Sequence, residues 1–95
     1  MNLIAGVPDN KMIGVVSTVL VNHNDNRGGL VITNLSNNTV FLAYGETPAE
    51  LNKGIVLYSH GSLSFDGFLY AVSAINAIAD APNSLVSFQE LNNAT

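Results

Sequence analysis

Cysteine and tryptophan are missing from this chain, charge of either sign is scarce, and no apolar run is long enough for a membrane helix. Each absence removes a class of function. Without cysteine there is no disulfide framework, thiolate zinc site, iron–sulfur cluster or cysteine nucleophile, and the redox compartment cannot be read. Three Lys or Arg against seven Asp or Glu is the wrong balance for gripping phosphates, since nucleic-acid affinity rests on clustered cations that displace counterions. Direct binding of DNA or RNA is therefore not expected. The longest apolar stretch, from Met12 to Val21, is interrupted by Gly14, Ser17 and Thr18, whereas a spanning helix needs about twenty residues. The start of the chain has neither a basic segment nor a long apolar one, so neither a secretory signal nor a membrane location is expected.

What the sequence does contain is 95 residues, 47% of them apolar, with a formal net charge of −4. That length suits one domain with a thin core. Charged residues make up 11%, well under the roughly 25% usual for a globular domain. Asparagine, about one residue in seven, with serine and threonine, is expected to give a neutral, polar surface. Such a surface repels copies of itself weakly, and so apolar a chain leaves area uncovered in a monomer. Association with like copies or with a larger partner is the expected result, with a homotrimer as the preferred self-assembled state.

Short β-rich runs alternate with Asn, Asp, Gly and Pro clusters about every ten residues, the pattern of a sandwich or barrel. The reading is all-β: a small antiparallel β-sandwich of seven or eight strands with jelly-roll-like connections, in one domain over residues 1–95. Residues 12–21 read as a single strand with two partly apolar faces, followed by a turn at Asn22-His23-Asn24-Asp25-Asn26. Residues 27–34 place Leu30 and Ile32 opposite Val31 and Thr33. The segment Leu35-Ser36-Asn37-Asn38 is read as a tight hairpin turn into residues 39–44, where Val40, Leu42 and Tyr44 oppose Phe41 and Ala43. Thr47-Pro48-Ala49-Glu50 fits a capping box and one helical turn that Gly54 closes. Strands are expected at 55–58 and around Leu63 and Phe65. The Ala-rich stretch 68–79 is ambiguous, with strands, one at 69–73, preferred to helix. The last strand is expected at 84–90, and residues 1–11 and 91–95 as extended terminal arms.

No constellation carries chemistry, and no catalytic, cofactor-binding or metal-binding residue is assigned; an enzyme is not expected. His23 and His60 both read as exposed turn residues, and Ser62 and Ser64 do not form a nucleophile elbow. Asn22 to Asn26 lack the terminal Glu of a calcium loop. Gly28-Gly29 has no following helix or lysine to cradle phosphate and reads as a bulge or tight bend. Glu46 and Glu50 read as solvated, and Asn34, Asn37 and Asn93 begin chance glycosylation triplets. Arg27 and Glu90 each border an apolar strand: either a bidentate pair joins strands or copies, or, as preferred, they are ordinary solvated ends.

Across residues 27–90, Arg27-Gly28-Gly29-Leu30-Val31-Ile32-Thr33-Asn34-Leu35-Ser36, Val40-Phe41-Leu42-Ala43-Tyr44-Gly45, Gly54-Ile55-Val56-Leu57, Leu69-Tyr70-Ala71-Val72 and Val86-Ser87-Phe88-Gln89-Glu90 succeed one another. This order resembles small β-sandwich structural proteins of tailed-bacteriophage virions, over about two-thirds of the chain and through loose strand and turn patterns. The long strand before residue 27 departs from it. The resemblance implies a decoration or cement protein that binds neighbouring subunits of the major capsid protein on the capsid exterior. Alternatively it implies a head-fibre, neck or tail component touching other virion proteins, in either case commonly a trimer. A carbohydrate-binding module is the competing class; it would need exposed Trp or Tyr to stack on sugar rings, and there is no Trp and only Tyr44, Tyr58 and Tyr70.

Overall fold

A strand whose side chains alternate between apolar and polar has one face to hide, and two sheets of such strands hide them against each other. The computed structural model describes residues 3–66 and 72–94. It has β1 (Leu3–Ala5), β2 (Asp9–Ile13), β3 (Thr18–Val21), β4 (Arg27–Asn34), β5 (Val40–Tyr44), β6 (Ile55–Leu57), β7 (Ser62–Asp66), β8 (Ile75–Ala79) and β9 (Ser84–Asn93). No helix occurs among the described residues. One sheet has the order β1-β9-β4-β7, with β2 also paired to β9, and the other the order β3-β8-β5-β6; every pairing is antiparallel.

From β2 to β9 the chain changes sheet at every connection but β5 to β6. Orders 2-9-4-7 and 3-8-5-6 are those of an eight-stranded jelly roll. The ninth strand adds no position across the sheet, because β1 pairs with Leu91 to Asn93 and β2 with Ser84 to Phe88 along the same side of β9. Gly6, between them, donates its amide to the Glu90 carbonyl at 2.8 Å and accepts from Gln89 Nε2 at 2.9 Å. Residues 3–5 and 9–13 are therefore sheet strands, and β9 runs on to Asn93, where extended arms were expected at 1–11 and 91–95. Pairing with β9 satisfies backbone groups that an arm would leave to water.

The core between the sheets joins Ile13, Leu20, Leu30, Ile32, Val40, Leu42, Leu57, Ile75, Ala77, Ala79 and Val86. These are the inward positions that the alternation predicts. Strand β8 is buried throughout: its outward Ile78 packs with Phe41 and Ala49 in a second small cluster. Its outward Asn76 donates to the carbonyls of Gly45 and Thr47 at 3.0 and 2.7 Å. Those bonds, with Ser17 Oγ accepting from the Ala49 amide at 2.8 Å, lay the 45–54 loop over the sheet. The loop forms turns and bends, and the helical turn expected at 47–50 is not formed.

Two other expectations are corrected. The single strand at 12–21 is two strands in opposite sheets, broken at Gly14 to Ser17, where Gly14 accepts from the Ala79 amide at 2.8 Å. Both of its faces looked apolar because Ile13 faces the core from one sheet and Leu20 and Val21 from the other. Strands β4 and β5 are not a hairpin: Asn34 ends one sheet and Val40 begins the other. The strand expected at 69–73 lies outside the described residues except for 72 and 73, which form a turn and a bend. The remainder of the ambiguous stretch, 75–79, is strand.

The register between β4 and β9 slips between Arg27 and Gly29, so Gly28 is the extra residue of a bulge, as the glycine pair suggested. A bulge reverses the alternation on its far side. Without it Arg27, three residues from inward-facing Leu30, would point to solvent. With it Arg27 lies opposite Asn92 and its side chain is wholly buried. Its Nη1 meets Glu90 Oε2 at 3.1 Å and donates to the Asn22 carbonyl at 3.1 Å, while Nη2 donates to the Ser73 carbonyl. The preference for solvated ends is overturned: the pair joins adjacent strands through one contact at Nη1.

Removing one partner of a buried pair leaves the other charge uncompensated, a loss of about 3–5 kcal/mol. Arg27→Met, which keeps the stem and removes the guanidinium, is expected to lower stability by about that amount in urea unfolding. Glu90→Gln, which keeps an acceptor for Arg27 and Asn24 but leaves the buried guanidinium without its counter-charge, is expected to cost a similar amount. Equal midpoints for Arg27→Met and the unmodified chain would contradict this role.

Candidate functional site

The loop after β3 is held from within by Asn24. Its Nδ2 donates to Glu90 Oε2 at 2.8 Å and to Asn92 Oδ1 at 2.9 Å, its amide donates to the Val72 carbonyl, and its Oδ1 accepts from the Asn26 amide. The sequence pointed to a solvent loop here, yet its third residue is the inner strap of the sandwich end. His23 Nε2 is 2.6 Å from Asp25 Oδ1 on the exposed side of this loop. Two exposed groups two residues apart have no third ligand beside them, and no cluster of three metal-binding side chains occurs among the described residues.

His60 has a left-handed backbone (φ 62°) and lies at the opposite end. Its Nδ1 is 2.8 Å from Ser59 Oγ, and that hydroxyl donates to the Ser36 carbonyl at 2.8 Å. The pair is a local contact between neighbouring residues of one turn. Glu50 faces Lys53 at 3.4 Å on the exposed 45–54 loop, and Glu46 is exposed nearby without closing a cleft around it.

Asn34 is fully buried, which rules out a glycan there. Its Nδ2 donates to the carbonyls of Asn38, Leu57 and Tyr58 at 2.7, 3.0 and 3.3 Å, and its Oδ1 accepts from the Ser36 amide and hydroxyl. Asn37 is exposed. Asn93 Oδ1 is buried without a hydrogen-bond partner. Tyr44 packs edge-on against Phe65, ring centres 5.2 Å apart, so it belongs to the core; Tyr58 is 69% exposed, and Tyr70 lies outside the described residues.

With catalytic geometry undeveloped at these positions, the broadest feature is the outer face of the β2-β9-β4-β7 sheet. The registers set Asn10, Ser87, Thr33 and Ser62 in one row across four strands, with Gln89, Val31 and Ser64 in the next. Met12 and Leu85 form a pair beside them. None of these nine side chains is charged. Met12 and Val31 are 54% and 38% exposed, and Val15 and Val16 at the adjoining corner are 54% and 73% exposed. The alternation of hydroxyl and apolar residues in β4, β7 and β9 was visible in the sequence; the strand order that assembles them into one face was not.

No protein-family model matches this sequence, and none of the curated proteins is significantly similar to it.

The face is a surface with ordinary solvent contact on one side, and substitutions at such positions change stability by less than about 0.5 kcal/mol. Val31→Lys and Thr33→Lys are expected to unfold within that margin of the unmodified chain. A loss of several kcal/mol would show that these side chains are covered within the folded unit.

Proposed function

We propose that this chain is a structural protein of a tailed-bacteriophage virion, which decorates the capsid exterior and cements neighbouring capsid subunits. The observation that carries the reading is the patch of nine uncharged residues on the four-stranded face, with Val31 at its centre and Met12, Val15 and Val16 at its border. A broad, pre-formed sheet can press against another protein without first ordering loops, which keeps the entropic cost of binding low. The sequence resemblance over residues 27–90 supplies the choice of partner, and the jelly-roll order belongs to an architecture common in viral capsid domains. The partner is the major capsid protein, and the exposed valines of the β2–β3 corner join like copies into a homotrimer.

The mechanism is linkage. Packaged DNA pushes outward, and a protein that binds the assembled lattice and not its separated subunits shifts the equilibrium towards the intact shell. Many copies make a modest affinity per copy sufficient. The net charge of −4 suits the exterior better than contact with packaged DNA. A head-fibre, neck or tail position is distinguished by copy number, with hundreds expected for a cement protein and about a dozen for a neck component.

Particles carrying the protein are expected to retain DNA on heating or magnesium removal better than particles lacking it. Val31→Lys, which buries an unpaired ammonium in the contact, is expected to abolish attachment. Equal DNA retention with and without the protein would remove the cement role. Because the nine residues of the patch carry no charge, attachment through them is expected to change less than about threefold between 0.05 and 0.5 M salt, as screening has little to act on. A steep fall with salt would place the contact elsewhere.

The corner contact gives a separate outcome. Light scattering is expected to return three times the 10.0 kDa chain mass, and Val16→Asp to return the monomer. A monomer for the unmodified protein would exclude the trimer in solution.

A further inference from the structure

On the far side of the molecule, the outer face of the β5–β6 pair carries a groove of about 390 Å³ lined by Thr39, Phe41, Leu51, Asn52, Val56, Tyr58 and Asp80. Register explains its floor: Phe41 is opposite Val56, and Val40 opposite Leu57, so the next pair outward is Thr39 and Tyr58. The 45–54 loop closes one wall. Gly54 allows its return: its φ is +80°, and a Cβ there would lie 2.5 Å from the Leu42 carbonyl oxygen. The turn after β8 closes the other, with the Thr39 amide donating to Asp80 Oδ1 at 3.0 Å and the Asp80 amide to the Thr39 carbonyl at 3.1 Å.

We propose that this groove binds the pyranose ring of a neutral sugar. Phe41 is nearly buried at its base, whereas Tyr58 is 69%, Leu51 43% and Val56 39% exposed, so the apolar floor is held open to solvent on a folded scaffold. An exposed phenol ring beside aliphatic groups matches the C–H face of a pyranose, and the Thr39 hydroxyl, Asn52 amide and Asp80 carboxylate stand around it where ring hydroxyls need partners. The volume is near the lower end of the ~300–1,000 Å³ range of ligand sites, the scale of one or two sugar units and not of a folded partner.

Charge narrows the class further. Asp80 is the one ionised group among the seven lining residues, and the nearby Lys53 is 3.4 Å from Glu50. Among the described residues no cation is paired with that carboxylate, and its negative charge disfavours phosphate, sulfate and uronate groups. The ligand is therefore an uncharged hexose or N-acetylhexosamine, as presented by a cell-surface glycan.

This site is on the opposite sheet from the face assigned to the capsid, so its test is independent of that reading. Saturation-transfer NMR of the full chain with glucose, galactose, mannose, N-acetylglucosamine and glucose 6-phosphate, each titrated to about 10 mM, measures the binding directly. Saturable transfer to at least one neutral sugar is expected, with glucose 6-phosphate at least tenfold weaker than glucose or silent. Tyr58→Ala is expected to weaken binding about tenfold, and Asp80→Asn, which keeps an acceptor for the Thr39 amide, to change the relative response to the phosphorylated sugar. Circular dichroism of both variants checks that the sheet is intact. No transfer to any neutral sugar, or transfer that Tyr58→Ala leaves unchanged in a folded protein, would overturn the proposal.

Discussion

The guanidinium of Arg27 is the constraint around which one end of this sandwich is arranged. It is wholly buried in a chain with only three Lys or Arg residues, and a charge in that position is tolerable only where its donors are met. The Gly28 bulge turns the side chain inward, Glu90 on β9 supplies the counter-charge, and the carbonyls of Asn22 and Ser73 bring two chain crossings to the same point. Asn24 then bonds the same carboxylate and Asn92. One ion pair thus fastens β4 to β9 and both to the segments that close that end. Glycine at 28 leaves room beside the bulge: a Cβ there would fall 2.5 Å from Asn93 Oδ1 and 2.6 Å from Leu3 Cδ2, so the ends of those two side chains would have to move aside.

The other end of β4 solves the same problem without charge. Asn34 bonds three carbonyls and two donors from Ser36, while Asn38 and Ser84 link the corner to the start of β9. Asn76 does similar work beneath the 45–54 loop. A primary amide has two donors and an acceptor that matches backbone groups, so it can satisfy chain crossings that a hydrophobic residue would strand. The abundance of asparagine is partly internal. The expectation from the sequence was of asparagine as part of a neutral, polar surface; these buried amides are an addition to it, and they leave the hydroxyls of β4, β7 and β9 as the main polar groups of the open sheet face.

Side-chain alternation was legible wherever one face of a strand is buried: Leu30 and Ile32 inward against Val31 and Thr33, Val40 and Leu42 inward against Phe41. The division of the strands between sheets was not, since local alternation is identical for a hairpin and for a corner crossing. The Asn34–Ser36 corner illustrates this, because its turn residues promise a reversal while the burial of Asn34 shows a crossing. Likewise Gly14 to Ser17 interrupt β-rich sequence with no proline, and the break is set by which side of the core Ile13 and Leu20 fill. Pairing of the first residues with β9 depends on partners some eighty positions away and leaves no mark in a short window. The candidate face shares this dependence on strand order, and the sugar groove depends on the path of the 45–54 loop.

Under the proposed function, two surfaces on opposite sheets would divide the work: the β2-β9-β4-β7 face would meet the shell and the small aromatic groove would be directed away from it. The stiffness needed for the first comes from the polar fastenings at both ends of β4, which hold the sheet without lengthening any strand. Electron cryomicroscopy of particles that carry the protein tests this arrangement most directly. The account predicts density for the jelly roll on the capsid exterior, with Thr33, Val31 and Ser64 against capsid subunits and Tyr58 facing solvent. Density in which the β2-β9-β4-β7 face is turned to solvent, or particles whose shell carries no copy of the chain, would contradict it.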